Sequence, residues 1–322
     1  MSDAFSQLPE GDDALPTPKK RRKSRFWRVV QWLIAAGFMA GITAVIAVMA
    51  IFQHYTADLP STGQLSNYDP AVVTRLYAND GKLMAEYAKE KRFFLPLSAI
   101  PLNVQHAFVS AEDQNFYTHQ GVDFWATARA MRNNLLHISE KHSIAGGSTI
   151  TQQVVKNFLL SNEKSLERKI KEAILAYRIS NAYSKDKILE LYLNQIYLGQ
   201  GTYGVASAAN TYFNKSLDEL TTEEAALLAA LPKAPAYFDP AKNYDRALER
   251  RNYVIKRMAD DGYIDAAEAK RALATRIITK QRDKDDIARA DFFAEEVRRA
   301  LATMYGSDVL YNGGLFVKTT LN

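Results

Sequence analysis

The chain has 322 residues, 47% apolar and 24% charged, with a formal net charge of +5 and no cysteine. That length can bury one sizeable core and an appendage, and the missing cysteines exclude disulfides, thiolate metal sites and thiol nucleophiles. The excess charge sits in residues 1–28, which hold seven Lys/Arg against four Asp/Glu, so the near-neutral body offers no polyanion-binding face and no nucleic-acid partner is expected.

Residues 1–28 read as a tail, Pro-containing and disordered to about residue 18, then basic through Lys19, Lys20, Arg21, Arg22, Lys23, Arg25 and Arg28. Val29 to Phe52 follows without a charge, and Gln31 and Thr43 are its clearly polar members. As a helix this run would extend about 36 Å, enough to cross a bilayer with some tilt. The basic cluster before it would hold the N-terminus in the cytoplasm and place everything after residue 53 outside. The run is too long for a cleavable signal peptide, and no small-x-small site follows it cleanly. Gly37 and Gly41 form a GxxxG pair, which would let two copies of the helix approach closely, or simply reflect ordinary small-residue content.

Residues 53–100 read as a connector with short strands. Asp58 to Pro70 is rich in turn formers, and strands are expected at Val72–Tyr77 and Phe93–Leu97, with Asn79-Asp80-Gly81 as a hairpin turn. From Pro101 the periodicity is helical. Leu166, Ile170, Ala173, Ile174 and Tyr177 recur at spacings of three and four, as do Ile188, Leu191, Tyr192 and Ile196. Thr221 or Thr222, with Glu223 and Glu224 after it, marks a helix start, and Pro232 and Pro235 end that helix. Residues 242–272 read as two surface helices broken at Asp261-Gly262. Lys280 to Asp286 reads as a linker, and Tyr311 to Leu321 alternates as a strand would.

The chemistry concentrates in the middle. Glu112 follows the small apolar run from Ala107 to Ala111, so it would emerge at the edge of a buried helix. Partial burial raises a carboxyl pKa toward the range a general base needs, though a Glu-Asp pair can also merely end a helix. Glu172 lies four and three residues after Arg168 and Lys169 on one helical face, where two cations would keep it ionised. Two carboxylates in contrasting surroundings suit sugar chemistry, while the bland alternative at Glu172 is a salt-bridged surface helix. Gly146-Gly147-Ser148-Thr149 would open a helix with free backbone N–H groups for an anion. Lys156, Lys164, Arg168 and Lys169 could gather around a diphosphate.

The His residues lack metal-ligand spacing. Ser161-x-x-Lys164 and Ser184-x-x-Lys187 match a serine acyl-enzyme pattern in form only, because its downstream partners are missing. Phe124, Trp125, Met131, Leu135, Leu136 and Ile138, interleaved with Arg129 and Arg132, are either core or a surface that dips into a membrane.

In order, Glu112-Asp113-x-x-Phe116-x-x-His119-x-Gly121, Gly146 to Gln153, Arg168-Lys169-x-x-Glu172, Tyr192 to Gly204 and Ala229 to Pro235 resemble the motifs of the family 51 peptidoglycan glycosyltransferases. The tail, anchor and short strands resemble the layout of a Gram-negative class A penicillin-binding protein. The resemblance covers about residues 55–275 plus the anchor.

It implies a mainly α, lysozyme-like domain over residues 101–275 with a membrane-dipping jaw, preceded by one transmembrane helix and a short β region. Residues 276–322 would be a linker and the start of a following domain, the transpeptidase region of full-length members. The implied reaction is polymerisation of lipid II into β-1,4 glycan strands, with inversion and release of undecaprenyl diphosphate, by a single-pass inner-membrane protein facing the periplasm.

Glu112 would deprotonate the acceptor hydroxyl and Glu172 would serve the diphosphate side of the donor. Asp113, Phe116, His119, Ser148, Thr149, Gln152, Gln153, Lys156, Lys164, Arg168, Lys169 and Asn194 would line or bind. Lys164 stands where the family often has Arg, which keeps the charge but loses the bidentate fork. No cofactor is required, although Mg or Mn at the diphosphate is compatible with the resemblance. Expected partners are lipid II, the growing glycan strand, the membrane, outer regulators or other cell-wall synthases, and a second copy of the chain. A lysozyme-like lytic glycosidase and a non-catalytic anchored scaffold are the rival readings.

Overall fold

The computed structural model describes residues 25–56, 59–60, 62–65, 74–87, 91–136, 147–160, 165–280 and 291–321. The chain divides into residues 1–54 and residues 55–322. In the first unit, α1 (Arg25–Thr56) extends the expected apolar run by four residues at each end. Its Trp32, Leu33, Ile34 and Phe38 are all exposed, so this helix has the length and composition to cross a membrane and no protein core to enter.

The second unit is mainly helical. After β1 (Thr74–Tyr77), β2 (Leu83–Tyr87) and β3 (Lys91–Arg92) come α2 (Leu102–Glu112), α3 (Phe124–Leu136), α4 (Ile150–Leu159), α5 (Leu166–Ala182) and α6 (Lys185–Gln195). Then follow β4 (Thr202–Tyr203), α7 (Val205–Phe213), α8 (Thr222–Ala230), α9 (Tyr244–Asp260), α10 (Ala266–Ala274), α11 (Asp291–Asn312) and β5 (Phe316–Lys318).

Two helical groups build the core. α2, α8 and α9 pack on one another, and α4 packs on α5 and α6. α8 is buried nearly all round, as its sequence Thr-Glu-Glu-Ala-Ala-Leu-Leu-Ala-Ala allows: the small residues let neighbouring helices come close. Thr221 and Glu224 form its capping box, and the helix ends at Ala230 ahead of Pro232. Ser184, half of one serine–lysine match, is the N-cap of α6 and accepts the Lys187 N–H at 3.2 Å. Residues 242–272 do form helices parted at Asp261-Gly262, and α9 turns one face into the core. It buries Ala247, Arg251, Val254, Ile255 and Met258.

The β segments depart further from expectation. The hairpin forms at Asn79-Asp80-Gly81, with Asp80 accepting the Lys82 N–H at 3.0 Å and Gly81 at φ +85°. Its second strand is β2, not Phe93–Leu97. That stretch runs irregularly into a 3₁₀ turn at Leu97–Ala99, because Leu95 bonds to a side chain instead of a strand. β5 is three residues long, since α11, broken by a kink at Gly306 (φ +84°), occupies the chain to Asn312. β5 pairs parallel with β1, whose other edge takes β2 antiparallel. The segment expected to open a following domain therefore completes the sheet formed by β1 and β2. Leu76, Ala78 and Met84 meet Ala294 of α11 in a small core there. No helix is expected from sequence over 291–312, although Ala294, Val297 and Leu301 recur there at helical spacing.

Candidate active site

Helix α2 ends at Glu112 because Asp113 leaves helical geometry (φ −155°, ψ 74°). The Asp113 carboxylate then accepts the Ile150 N–H of α4 at 3.0 Å and pairs with His119 Nε2 at 2.9 Å. Phe116 is fully buried beneath this turn, with the Lys185 ammonium 4.7 Å from its ring centroid and donating to the His119 carbonyl at 2.7 Å. Gly121 has φ +87°, and a Cβ there would lie 2.2 Å from the Ala176 carbonyl oxygen, so no side chain fits. Asp113, Phe116 and His119 thus lie behind the site and set its shape.

The start of α4 corrects a second expectation. Thr149 and Gln152 form a capping box, with the Thr149 N–H donating to Gln152 Oε1 at 3.0 Å and the Gln152 N–H to Thr149 Oγ1 at 3.1 Å. Thr149 Oγ1 donates in turn to the Gly121 carbonyl at 2.6 Å. With Ile150 N–H held by Asp113, these donors are consumed by the protein and are not free for an anion. Thr149 is a buried cap, not a lining residue.

What α4 does present is a row of side chains. Glu112, Ser148, Gln152, Gln153 and Lys156 line an open cleft of about 930 Å³, together with Arg168, Lys169 and Glu172 of α5. Gln153 Nε2 donates to Glu112 Oε2 at 2.7 Å. Desolvation raises the Glu112 carboxyl above its ordinary value, against the Gln153 hydrogen bond and the charges of Arg250 and Lys233, while Asp113 adds to the rise. Glu172 is buried, its side chain 3% exposed, with Arg168 Nε 3.0 Å from one oxygen and Lys169 Nζ 2.9 Å from the other. Lys169 also donates to Ser148 Oγ at 2.7 Å, which ties the entry of α4 to α5.

Asn194 is elsewhere. Its buried amide accepts from the Leu95 N–H and donates to the Leu95 carbonyl, each at 2.8 Å, so it clamps an irregular strand-like segment and does not reach the cleft. Lys164 falls outside the described residues.

A further part of the lining was missed from sequence. Pro232, Lys233, Ala234, Tyr237 and Phe238 line the cleft from the segment after α8, with Arg250 and Tyr253 from α9. The Arg246 guanidinium lies 4.2 Å from the Tyr237 ring centroid, and that of Arg250 4.5 Å from the Tyr253 ring. Desolvation lowers the Lys233 ammonium from its ordinary value, Arg250 lowers it further, and Glu112 opposes. Lys233 sits inside the quoted Ala229–Pro235 segment, whereas Arg250 read as one more charge on a surface helix.

Phe124 and Trp125 at the start of α3 are each 79% exposed, so they are not core. The side chains of Met131, Leu135, Leu136 and Ile138 lie outside the described residues. Among the described residues no three His, Asp or Glu side chains gather as metal ligands. Both Glu172 oxygens face cations and Glu112 faces an amide, so the donor set fits an anion and does not by itself fit a divalent cation.

A family model described as transglycosylase matches residues 80–259. Penicillin-binding protein 1A of Rickettsia bellii is 52% identical over 276 residues, which is 85% of this chain and 35% of that one. Penicillin-binding protein 1A of Aquifex aeolicus is 43% identical over 265 residues, 82% of this chain and 36% of that one. The crystal structure of penicillin-binding protein 1A from Haemophilus influenzae aligns with TM-score 0.46 and 29% identity, over 78% of this chain and 27% of that chain. The chain spans about a third of the length of the curated relatives it matches. It belongs to the transglycosylase family and corresponds to the glycosyltransferase region of a class A penicillin-binding protein.

Proposed function

We propose that this cleft polymerises lipid II into β-1,4 glycan strands with release of undecaprenyl diphosphate. One observation carries the reading: a desolvated carboxylate, Glu112, shares a single cleft with Lys156, Arg168, Lys169, Lys233 and Arg250. A neutral glycan, the substrate of a lytic glycosidase, has no use for so many cations, whereas a diphosphate does. Glu112 takes the proton from the acceptor sugar hydroxyl as that oxygen attacks the donor's anomeric carbon from the face opposite the leaving diphosphate. The configuration inverts and the carbon–oxygen bond to the diphosphate breaks. Lys156, Arg168 and Lys169 meet the negative charge that builds on the leaving group, with Glu172 holding the last two in place. The raised carboxyl suits this role, because the base must compete for a proton near neutrality.

The finer expectations belong to the same proposal. α1 spans the inner membrane with its N-terminus cytoplasmic, and the exposed Phe124 and Trp125 meet the lipid surface near a lipid-linked substrate. Association through Gly37 and Gly41, contacts with outer regulators or other synthases, and a Mg or Mn ion held mainly by the substrate's own phosphates are compatible additions. The chemistry above routes no step through such an ion.

The deciding experiment is strand formation from labelled lipid II by the purified chain in detergent, beside Glu112→Gln. Polymer from the native chain alone supports the reading. Equal polymer from both removes Glu112 from the role of base, and shortening of preformed glycan would favour the lytic reading instead.

A further inference from the structure

Tyr192 on α6 is 1% exposed, and its hydroxyl has no hydrogen-bond partner among the described residues. A buried orphan hydroxyl is costly, so its persistence asks for a reason. Its ring packs edge-on against Phe108, with centroids 6.1 Å apart. Phe108 lies four residues before Glu112 on α2, hence one turn below it on the same helical face. The Tyr192 ring therefore packs one turn below the end of α2 that carries Glu112. The charges that act on it are those of Glu112 and Asp113.

We propose that Tyr192 is a positioning donor for Glu112, its hydroxyl kept unpartnered so that it turns to the carboxylate, directly or through one water, when Glu112 is ionised. This rests on Glu112 being the base. Gln153 on the cleft side donates to one oxygen, Oε2, of the Glu112 carboxyl. Once ionised, the carboxylate has capacity for more donors than one amide supplies. The other groups facing this pair are already committed or differently charged. Asp113 is occupied by Ile150 N–H and His119, Lys185 is turned to the His119 carbonyl and the Phe116 ring, and Lys233 and Arg250 are cations of the cleft lining that act on Glu112 through their charge.

The test is the pH profile of strand formation by the full chain, with Tyr192→Phe and Glu112→Gln measured together. Tyr192→Phe should lower kcat about ten-fold with KM unchanged and move the acidic limb up by about one pH unit, since a donor to the ionised base is lost. Below the acidic limb, where Glu112 is neutral and the hydroxyl stands unpartnered, the melting temperature of Tyr192→Phe should hold or rise. A merely structural tyrosine would show the reverse, a lower melting temperature with the limb in place, and that would overturn the proposal. So would an unchanged kcat and profile. If Tyr192→Phe fails to fold, 3-fluorotyrosine at position 192 decides: a stronger donor of the same shape should move the limb down, and no movement overturns the idea. Activity in Glu112→Gln would instead overturn the assignment of the base itself.

Discussion

At one end of the cleft, Glu112 meets the amide of Gln153 and is held toward its neutral form by desolvation. At the other end, Glu172 is more deeply buried yet lies within 3.0 Å of two cations. The same side chain thus does opposite work. Where burial is uncompensated, the carboxylate seeks a proton and can act as a base. Where burial is matched by Arg168 and Lys169, the carboxylate orients those cations.

The comparison breaks or sharpens by substitution. The largest effect expected is at Glu112→Gln, a kcat loss of about a thousand-fold in strand formation. That variant should nevertheless melt higher at neutral pH. Burial raises the folded-state pKa above the ordinary 4.5, so ionisation costs the fold stability as pH rises through the interval above that value. The advantage of Gln should vanish below about pH 4.5, and a pH series of melts checks it. A lower melting temperature at pH 7.5 would contradict the assigned desolvation.

Glu172→Gln should behave oppositely. Activity falls about a hundred-fold as Arg168 and Lys169 lose their anchor, and stability drops by about 2 kcal/mol because a buried charge pair is broken. Denaturant unfolding of both Gln variants side by side tests the contrast. Equal signs of ΔΔG would end the two-role account.

Gln153→Leu is expected to cost about ten-fold in kcat and to raise the acidic limb of the pH profile, since its hydrogen bond to Glu112 lowers that carboxyl. A shift to lower pH would show that the amide is not serving the carboxylate. The smallest functional effect belongs to Asn194→Ala. It should leave kcat and KM within about two-fold while unfolding about 2 kcal/mol more easily, because the Leu95 backbone loses both bonds. A raised KM would return Asn194 to the binding site.

Much of this was legible in the residues. The apolar run of α1, the helical periodicity of α5 and α6, the capping of α8 and the contrast between Glu112 and Glu172 all follow from local pattern. Local pattern also misled. Thr149 looked like an anion-site hydroxyl, but Ser, Thr and Asn in helix-start sequences serve backbone groups as readily as ligands, and here the cap took it. Arg250 resembled every other cation of α9, because nothing in a single helix says which neighbour it will face.

By itself, then, the sequence determined the anchor, the helical class and the identity of the acidic and basic groups, since these depend on hydrophobic period and on side-chain type. Only the tertiary structure decided which of those groups share the cleft. It brought Lys233 and Arg250 into the cleft with Glu112, withdrew Asn194 to the Leu95 clamp and returned β5 to the side of β1. Those choices come from packing between segments far apart in the chain, where complementary surfaces and unsatisfied backbone groups select the partner and sequence spacing carries no record of it.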